Sequence, residues 1–575
     1  MTNATTDSDA DPGAPMERLL ALLLPPADAA SVPFATLMGA IVAAMRDSPA
    51  PFEAILRELY REQYAFWQRW LLPSPGDEPG ASANEPTARP DPPPFFAMVA
   101  EQHGIWNRWA AGMAKAMDGN DPQRQRVRFM LRQWSAATAP ANFLATNAEA
   151  IAAASATHGA TLARGLERAR ADTQVGRVTL SNGPDFAVGR SLATTGGAVV
   201  LETDVMQLIQ YRPRQPRVAS RPLVMVPPFI NKYYILDLRP GRSLVEWALD
   251  QGQQVFMISW RNASAAMATS TWEDFVRKGV LAAVDAATAI TGSDRANVLG
   301  YCVGGTLSVC AAGVDAAGPS PAINSLTLLA TLLDYTDPGE IGVYIDERSV
   351  RDTENRFGDG GVVPAATVAN AFASLRPGEL VWDPIVHHYL LGQTPPASDL
   401  LYWNDDGTDL PGPVYAWYLR HLYLMNRLCV PGGVRIGAVP IHLSKIAVPA
   451  YVLAARDDHI VPWASAFRSL AYLGGPCRFV LGENGHVGGI VNPAARERHG
   501  YWTQGEPARD APAWLALAQH NRGSWWHDWN KWLAPRSGRL RAAPKRPGNQ
   551  AHPPLEDAPG RFVLERAAAM PGNTA

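Results

Sequence analysis

A cysteine stands between two glycines where an apolar run meets a stretch of small residues. Residues 300–306 read G-Y-C-V-G-G-T, with Cys302 third in the segment. A strand, a tight glycine turn and then a helix are typical of a nucleophile elbow, which lifts its central side chain above the end of a parallel strand. Glycine is expected at positions 300 and 304 because a Cβ would clash where strand and helix approach closely. Cys302 is therefore a candidate nucleophile; the alternative is a buried structural cysteine, which we predict for Cys310.

A nucleophilic thiol needs a base and a group that holds the base. In α/β-hydrolases the chain order is nucleophile, acid, histidine, each in a loop that follows a strand. Asp458 follows one apolar run, within the sequence D-D-H-I-V-P, and His486 follows the next, within G-H-V-G-G. The order Cys302, Asp458, His486 thus predicts a catalytic triad.

Two neighbours of Asp458 offer alternatives. Asp457 is a second possible acid and His459 a second possible base. The spacing D-x-x-V-P, which hydrolase acid loops usually show, selects Asp458 over Asp457, and a histidine beside the acid in sequence would point elsewhere. A non-catalytic interpretation makes Asp458 a helix cap and His486 a loop residue, but three hits in the correct order argue against it.

An oxyanion hole needs two backbone N–H groups aimed at the reacting carbonyl oxygen. The first is expected from Val303, directly after the nucleophile. The second is expected from the loop after an earlier strand, where Pro227 and Pro228 have no N–H to offer. Phe229, Ile230 or a close neighbour is therefore the predicted second donor.

The elements that position these residues alternate between strands and helices. Apolar runs lie at residues 223–226, 255–259, 296–300, 326–333, 450–454 and 478–481, separated by helical patterns. This alternation predicts a parallel sheet covered on both faces, an α/β fold. A long interruption, residues 334–445, is rich in Trp, Tyr and Pro, and we interpret it as a cap, or lid, over the site.

The chain before this alternation, residues 1–200, predicts a mainly α-helical N-terminal domain. Helical spacing of apolar residues recurs up to Leu72 and again over residues 95–171, and the proline-rich stretch 73–94 between them is typical of a linker. Short strands are expected at residues 178–180, 186–188 and 198–202. The predicted domains are an extension over 1–94, a helical domain over 95–200 and a catalytic domain over 201–575, whose basic tail after about residue 535 is expected to be flexible.

Composition restricts the class of protein. The chain has 575 residues and a net charge of −3, which gives no basic field for nucleic acid. Its four cysteines show no CxxC spacing, so free thiols in a reducing compartment are expected and a metal site is not. With no signal peptide and no apolar run long enough for a membrane span, we predict a cytoplasmic protein.

Many segments resemble one family, the polyhydroxyalkanoate synthases of the class I type. The resemblance covers about residues 95–535, and Phe229 stands where the family usually has Trp. The resembling segments are N-F-L at 142–144, L-I-Q-Y at 208–211, V-P-P-F-I-N-K-Y-Y-I-L-D-L at 226–238, G-Y-C-V-G-G-T at 300–306, D-P-G-E at 337–340, W-N at 403–404, L-P-G-P at 410–413, W-Y-L-R at 417–420, D-H-I-V-P-W at 458–463, G-H at 485–486 and G-S-W-W at 523–526.

The resemblance implies an α/β-hydrolase fold and an acyltransferase that polymerises (R)-3-hydroxyacyl-CoA, releases CoA and uses no cofactor. Val303 resembles the short-chain class, for which the monomer is 3-hydroxybutyryl-CoA. The family's aspartate either orients the histidine or activates the substrate's 3-hydroxyl, and both roles stay open for Asp458. Arg376, Asn404 and Arg420 are candidate CoA contacts. The resemblance also implies a homodimer, a growing polyester chain, granule-associated proteins as partners and location at polyester granules.

Two other functions compete with polymerisation. A cysteine-dependent thioesterase or depolymerase would use water as the acyl acceptor, which a site under an aromatic cap disfavours. A granule-surface scaffold without catalysis is disfavoured by the intact order of Cys302, Asp458 and His486.

Overall fold

The computed structural model describes residues 34–71, 94–117, 119, 121–183, 186–504 and 510–567, so the predicted linker lies almost wholly outside the described residues. The described chain forms two compact units. One comprises the described chain up to Leu180 together with residues 369–396, and the other comprises residues 181–368 and the described chain from 397 to 567.

The first unit is helical, as the sequence predicts. Asp121 caps the helix that starts at Pro122, since its side chain accepts the Arg124 N–H at 2.9 Å. Its helices are α1 Phe34–Asp47, α2 Pro49–Leu71, α3 Pro94–Ala116, α4 Pro122–Ala137, α5 Ala148–Ala156 and α6 Ala160–Val175. Its core packs Ala40, Ala44, Phe52, Met113, Met117 and Val127 together.

The helical spacing of Phe52, Tyr60, Tyr64 and Trp67 predicts a single core face for α2. In the structure Tyr60, Tyr64 and Trp67 face solvent, because the buried face of the helix passes through Phe52 and Phe66, about four turns apart. That prediction is therefore wrong for these three residues.

The second unit is built on an eleven-stranded sheet. The described strands are β1 Gly197–Glu202, β2 Met206–Tyr211, β3 Arg217–Ala219, β4 Pro222–Val226, β5 Gln254–Trp260, β6 Ala296–Tyr301, β7 Ile323–Leu329, β8 Val362–Val363, β9 Leu410–Pro411, β10 Arg435–Ile436, β11 Val439–Pro440, β12 Ala450–Ala455, β13 Cys477–Gly482, β14 Tyr501–Thr503, β15 Gln519–Asn521, β16 Leu540–Ala542 and β17 Glu556–Asp557. The order of the strands in the sheet is β15-β14-β13-β12-β7-β6-β4-β5-β2-β1-β17, and the run from β13 to β5 is parallel.

Helices connect the parallel strands, which confirms the predicted α/β class. Between β7 and β12 the chain runs through further helices, where the cap was predicted. The remaining helices are α7 Leu244–Asp250, α8 Trp272–Asp274, α9 Ala282–Thr291, α10 Val303–Ala316, α11 Glu347–Phe357, α12 Ala365–Ser374, α13 Asp383–Ile385, α14 Asp399–Asp405, α15 Gly412–Trp417, α16 Trp463–Arg468, α17 Ala511–Leu517 and α18 Trp526–Leu533. Segments of π-helix occupy Phe275–Leu281, Gly378–Trp382, Val386–Leu390 and Tyr418–Leu424.

The register of the parallel strands brings their carboxyl ends to one edge. Val226 of β4 pairs with Gly300 of β6, and Tyr301 of β6 pairs with Leu329 of β7. The loops that follow β4, β6, β7, β12 and β13 therefore meet at this edge, where α/β enzymes place their sites.

Two predicted strands are wrong. At residues 178–180, the main-chain N–H and the hydroxyl of Thr179 bond to the carboxylate of Asp172, at 2.9 and 2.5 Å, so this stretch joins no ladder. Residues 186–188 contribute a single bridge, between Val188 and Leu192.

The tail expected to be flexible is instead packed onto the sheet unit. Strand β16 pairs with β3 and strand β17 pairs with β1. Phe562 and Val563 are each 2% exposed, so this stretch has an apolar anchor although its composition is mainly basic.

Candidate active site

Cys302 lies in a sharp corner between β6 and α10, in strained backbone. Its φ is 53° and its ψ is −126°, a conformation that costs a non-glycine residue about 1–3 kcal/mol. A Cβ on Gly300 would lie 2.4 Å from Gly305 Cα, and one on Gly304 would lie 2.2 Å from the carbonyl oxygen of Val226. The corner thus has the geometry expected of a nucleophile elbow.

Asp458 and His486 meet in the loops after β12 and β13. His486 Nδ1 donates to Asp458 Oδ2 at 2.7 Å, and both side chains are buried. The other carboxylate oxygen, Oδ1, accepts the main-chain N–H groups of Ile460 and Val461 at 2.8 and 2.9 Å. With both oxygens engaged, the carboxylate fixes the imidazole tautomer and leaves Nε2 for the thiol.

The charges at this site favour a protonated imidazole. Burial lowers the pKa of His486, but the negative charges of Asp458 and of the Cys302 thiolate, with the hydrogen bonds that both make, outweigh it and raise the pKa to about 10. A protonated imidazole beside Cys302 favours negative charge on its sulfur, so His486 can activate the thiol for attack.

The structure distinguishes Asp458 from Asp457 and His459, the alternatives that lie next to it in the sequence. The Asp457 carboxylate is more than half exposed and pairs with the Arg456 guanidinium at 3.2 Å. His459 offers its main-chain carbonyl to the Glu340 N–H at 3.2 Å. His486 has Asp458 as its carboxylate partner, while Asp457 lies on the surface.

Tyr301 and Thr331 support the elbow and were missed by the sequence reasoning. The Tyr301 hydroxyl donates to the His486 carbonyl oxygen at 3.1 Å, and the two rings stack with centroids 5.4 Å apart. Thr331 Oγ1 lies 3.3 Å from the Cys302 carbonyl oxygen, to which it donates. The available signals were Tyr301's place beside the nucleophile and Thr331's place just after β7.

Three tyrosines lie close enough to the thiol for its charge to act on their hydroxyls. Tyr335 and Tyr418 are buried and Tyr423 is half-buried, and Tyr418 and Tyr423 lie on the π-helical segment Tyr418–Leu424. Burial is the main cause that raises the pKa of each hydroxyl, and the negative charge of Cys302 adds to it. The hydroxyls stay protonated at neutral pH and can donate hydrogen bonds. The sequence indicated an aromatic cap but not these positions.

The loop after β4 carries the predicted oxyanion donors and is held at both ends. At its start, Trp260 Nε1 donates to the Pro227 carbonyl oxygen at 2.8 Å, and at its end Trp403 Nε1 donates to the Lys232 carbonyl oxygen at 2.8 Å. Between them lie Phe229, which is 1% exposed, and Ile230.

Aromatic rings fix the Phe229 side chain, and the elbow supplies the other predicted donor. The Phe229 ring packs edge-on against Trp272, Phe275 and Tyr418, with centroids 5.2–6.3 Å apart. Val303 is the first residue of α10, so its N–H belongs to a helix N-terminus, which favours negative charge.

The predicted CoA contacts, Arg376, Asn404 and Arg420, have different surroundings. Arg420 bonds to the carboxylates of Glu347 and Glu354, each at 2.7 Å, and these contacts raise its pKa. Arg376 belongs to the helical unit and pairs with Glu379 at 3.1 Å on the surface. Asn404 lies partly buried on α14. Their role toward CoA stays a prediction.

Cys310 is the cysteine that we predict to be structural. Cys310 is fully buried, and burial raises the pKa of its thiol to about 12. In the part of the chain that the structure describes, no group of three or more His, Cys, Asp or Glu side chains is placed to hold a metal ion. Nor does a described helix have the length and apolar character needed to cross a membrane.

Two family models match the chain. Residues 88–248 match the model described as "Poly-beta-hydroxybutyrate polymerase (PhaC) N-terminus". Residues 238–493 match the model described as "alpha/beta hydrolase fold", in agreement with the sheet.

Known relatives extend over most of the chain. The poly(3-hydroxyalkanoate) polymerase subunit PhaC of Cupriavidus necator is 46% identical over 461 residues, which cover 79% of this chain and 78% of the relative. The subunit of the same name from Rhizobium meliloti is 37% identical over 479 residues, covering 82% of this chain and 78% of the relative. A solved structure, titled "Est816 as an N-Acyl homoserine lactone degrading enzyme", is 16% identical, with a TM-score of 0.30 over 52% of this chain and 96% of that one. The identity and coverage of the polymerases show that this chain belongs to the poly(3-hydroxyalkanoate) polymerase family and is an acyltransferase on an α/β-hydrolase fold.

Proposed function

We propose that this enzyme polymerises (R)-3-hydroxyacyl-CoA, with 3-hydroxybutyryl-CoA as the preferred monomer, through an acyl group held on Cys302. The observation that carries the proposal is the elbow thiol beside His486, whose Nδ1 is held by Asp458 at 2.7 Å. Membership in a family of hydroxyalkanoate polymerases supplies the substrate class.

In the first step, the Cys302 thiolate attacks the thioester carbonyl of the hydroxyacyl-CoA. The carbonyl oxygen becomes an oxyanion, which accepts hydrogen bonds from the main-chain N–H groups of Val303 and of Phe229 or Ile230. The bond between the acyl carbon and the CoA sulfur then breaks. The departing CoA thiolate takes the proton of the His486 imidazolium, and the acyl group remains on Cys302 as a thioester.

In the second step, the 3-hydroxyl oxygen of another hydroxyacyl group attacks the thioester on Cys302. His486, now neutral, accepts the hydroxyl proton, an ester bond forms and the thiolate is released. Because a cysteinyl thioester is as activated as a CoA thioester, the chain stays ready for transfer, whereas a serine ester would have lost that activation. A sulfur nucleophile therefore suits polymerisation better than hydrolysis.

Asp458 is assigned the orienting role in this scheme. Its Oδ2 holds His486 Nδ1, and its Oδ1 is taken by two main-chain N–H groups. A carboxylate with both oxygens engaged has little capacity left to accept the proton of a substrate hydroxyl.

The surroundings of the thiol support the monomer and the acceptor. Val303 resembles the residue of the short-chain class, and the buried aromatic rings of Tyr335 and Tyr418 near the thiol favour an acceptor other than water. Granule association, a cytoplasmic location and a homodimer belong to the same proposal and rest on family membership.

The test is a product assay with purified enzyme and hydroxyacyl-CoA of several chain lengths. We expect CoA release and polyester from 3-hydroxybutyryl-CoA, and no CoA release from Cys302→Ala. Cys310→Ala, which alters a buried thiol away from the elbow, is the matched control and should retain release. Undiminished CoA release by Cys302→Ala would rule out Cys302 as the nucleophile. Free hydroxyacid as the only product would indicate a thioesterase.

A further inference from the structure

The last described residues of the chain, 561–567, here named the C-terminal segment, lie at the carboxyl end of β5. The guanidinium of Arg261, directly after β5, stands 5.0 Å from the centroid of the Phe562 ring. Asn262 Nδ2 donates to the Arg566 carbonyl oxygen at 3.4 Å. With Phe562 and Val563 2% exposed, the segment is anchored at the edge of the sheet where the reaction takes place.

This segment contacts a buried lysine in the oxyanion loop. Lys232 is 3% exposed, and its Nζ donates to the main-chain carbonyl oxygen of Glu565 at 2.5 Å. Burial lowers the pKa of Lys232, while the charges of Asp406, Glu565 and Asp409 oppose that shift. A buried ammonium without acceptors is strongly unfavourable, so the carbonyl of Glu565 fixes where this side chain lies.

The backbone of Lys232 is fixed as firmly as its side chain. Its N–H donates to Asn231 Oδ1 at 2.8 Å, and its carbonyl oxygen accepts Trp403 Nε1 at 2.8 Å. Since Lys232 follows Ile230 by two positions, a displacement at Lys232 reaches the main-chain N–H groups that we assign to the oxyanion hole.

We propose that Lys232 is a positioning residue, and that through the Glu565 carbonyl it makes the C-terminal segment part of the apparatus that aims the oxyanion donors. The inference rests on the proposed function only in taking the donors to be Phe229 or Ile230 and Val303. It assigns a role in catalysis to a segment that contributes no reacting group.

Two reactions of the same thiol test the proposal. CoA release from 3-hydroxybutyryl-CoA in a single turnover passes through an oxyanion, whereas alkylation of Cys302 by iodoacetamide displaces iodide without one. We expect Lys232→Met to slow CoA release by at least about 10-fold, part of the 10²–10³-fold that loss of a whole oxyanion donor costs. Alkylation, followed by the mass of the peptide that contains Cys302, should change less than twofold, and KM should stay within twofold.

Three further variants make the result specific. Lys232→Arg, which retains a cation able to reach the carbonyl, should recover most of the rate. Leu555→Ala, which shortens an exposed side chain just before the C-terminal segment, is the control and should release CoA at nearly the parent rate. Deletion of residues 561–575 should slow release as Lys232→Met does, and the two changes combined should lose no more than either alone, because they break the same contact.

The outcomes separate the inference from the proposed function. If Lys232→Met slows alkylation as much as CoA release, or leaves both unchanged, Lys232 has no positioning role. A combined variant whose losses multiply would sever the link between Lys232 and the C-terminal segment. If instead Cys302→Ala still releases CoA, it is the proposed function that fails, whatever the Lys232 variants show.

Discussion

Gly304→Ala is the sharpest perturbation that the elbow offers. A Cβ at this position would lie 2.2 Å from the Val226 carbonyl oxygen and 2.6 Å from the Pro227 carbonyl oxygen. Both obstacles are backbone, so no side chain can rotate away. Residue 304 follows the first oxyanion donor, and residues 226 and 227 lead into the second, so the methyl group forces the two donors apart.

The size of the effect follows from these distances. To reach an ordinary contact the elbow helix and the loop must separate by about 1 Å, and a misplacement of about 1 Å at a reacting centre can cost 10²-fold in rate. Overpacking of this kind also costs about 1–3 kcal/mol in the free energy of unfolding. We therefore expect CoA release to fall about 100-fold in a variant that still folds.

Single-turnover CoA release and iodoacetamide alkylation of Cys302 measure the effect, with urea unfolding as the check on stability. Gly39→Ala is the control, because a Cβ there meets no atom within 4 Å; its release rate should equal that of the parent. A Gly304→Ala enzyme that releases CoA within about threefold of the parent rate would refute the assigned geometry.

Three other changes have definite expected outcomes. Asp458→Asn should slow CoA release by at least about 100-fold, since the amide no longer holds the imidazole in its tautomer, while Asp457→Asn should stay within twofold; equal losses would contradict the choice of acid. The pKa of His486 is raised to about 10 from about 6.5 when unfolded, so its contribution to stability is complete below about pH 6.5 and is lost as the pH rises through about 10. Urea unfolding should thus show His486→Gln at its greatest disadvantage near pH 6, and a disadvantage that grows toward pH 10 would reverse the assigned sign. Tyr301→Phe removes the hydroxyl that holds the His486 carbonyl at 3.1 Å but keeps the stacked ring, so we expect a loss of about 1 kcal/mol in unfolding free energy, and no loss would show that contact to be dispensable.

The parallel sheet and the grouping of Cys302, Asp458 and His486 could be foreseen because chain order and strand ends together restrict where loops meet. Glycine at 300 and 304 signalled a close approach that the structure shows. Trp525, Trp526, Trp529 and Trp532 recur at helical spacing, which predicts a core face, and they are buried. These predictions succeed because each rests on the spacing of nearby residues, and for the triad also on the rule that loops after parallel strands meet at one edge of the sheet.

The predictions that failed did so because a nearby side chain took a backbone hydrogen bond, or because a contact joins residues far apart in the sequence. Residues 178–180 read as a strand, but the Asp172 carboxylate takes the Thr179 N–H before a neighbouring strand can. The C-terminal tail read as flexible because its buried side chains, Phe562 and Val563, are few among many basic residues. Tyr301 escaped notice because its role depends on a partner far along the chain, the main chain of His486.

The helical unit is assembled from two separate stretches of the chain, and this limits how the protein can be divided. Tyr389 donates its hydroxyl to the Asp172 carboxylate at 2.6 Å, and a Cβ on Gly165 would lie 1.7 Å from the Tyr389 carbonyl oxygen. A fragment that begins at Ser181 would therefore carry residues 369–396 stripped of the helices they pack on. A fragment that ends at Leu180 would expose the helix surface that residues 369–396 cover in the whole protein. Removing residues 1–180 is thus never a clean deletion, and activity lost by such a fragment would report disrupted packing of residues 369–396 as much as a missing domain.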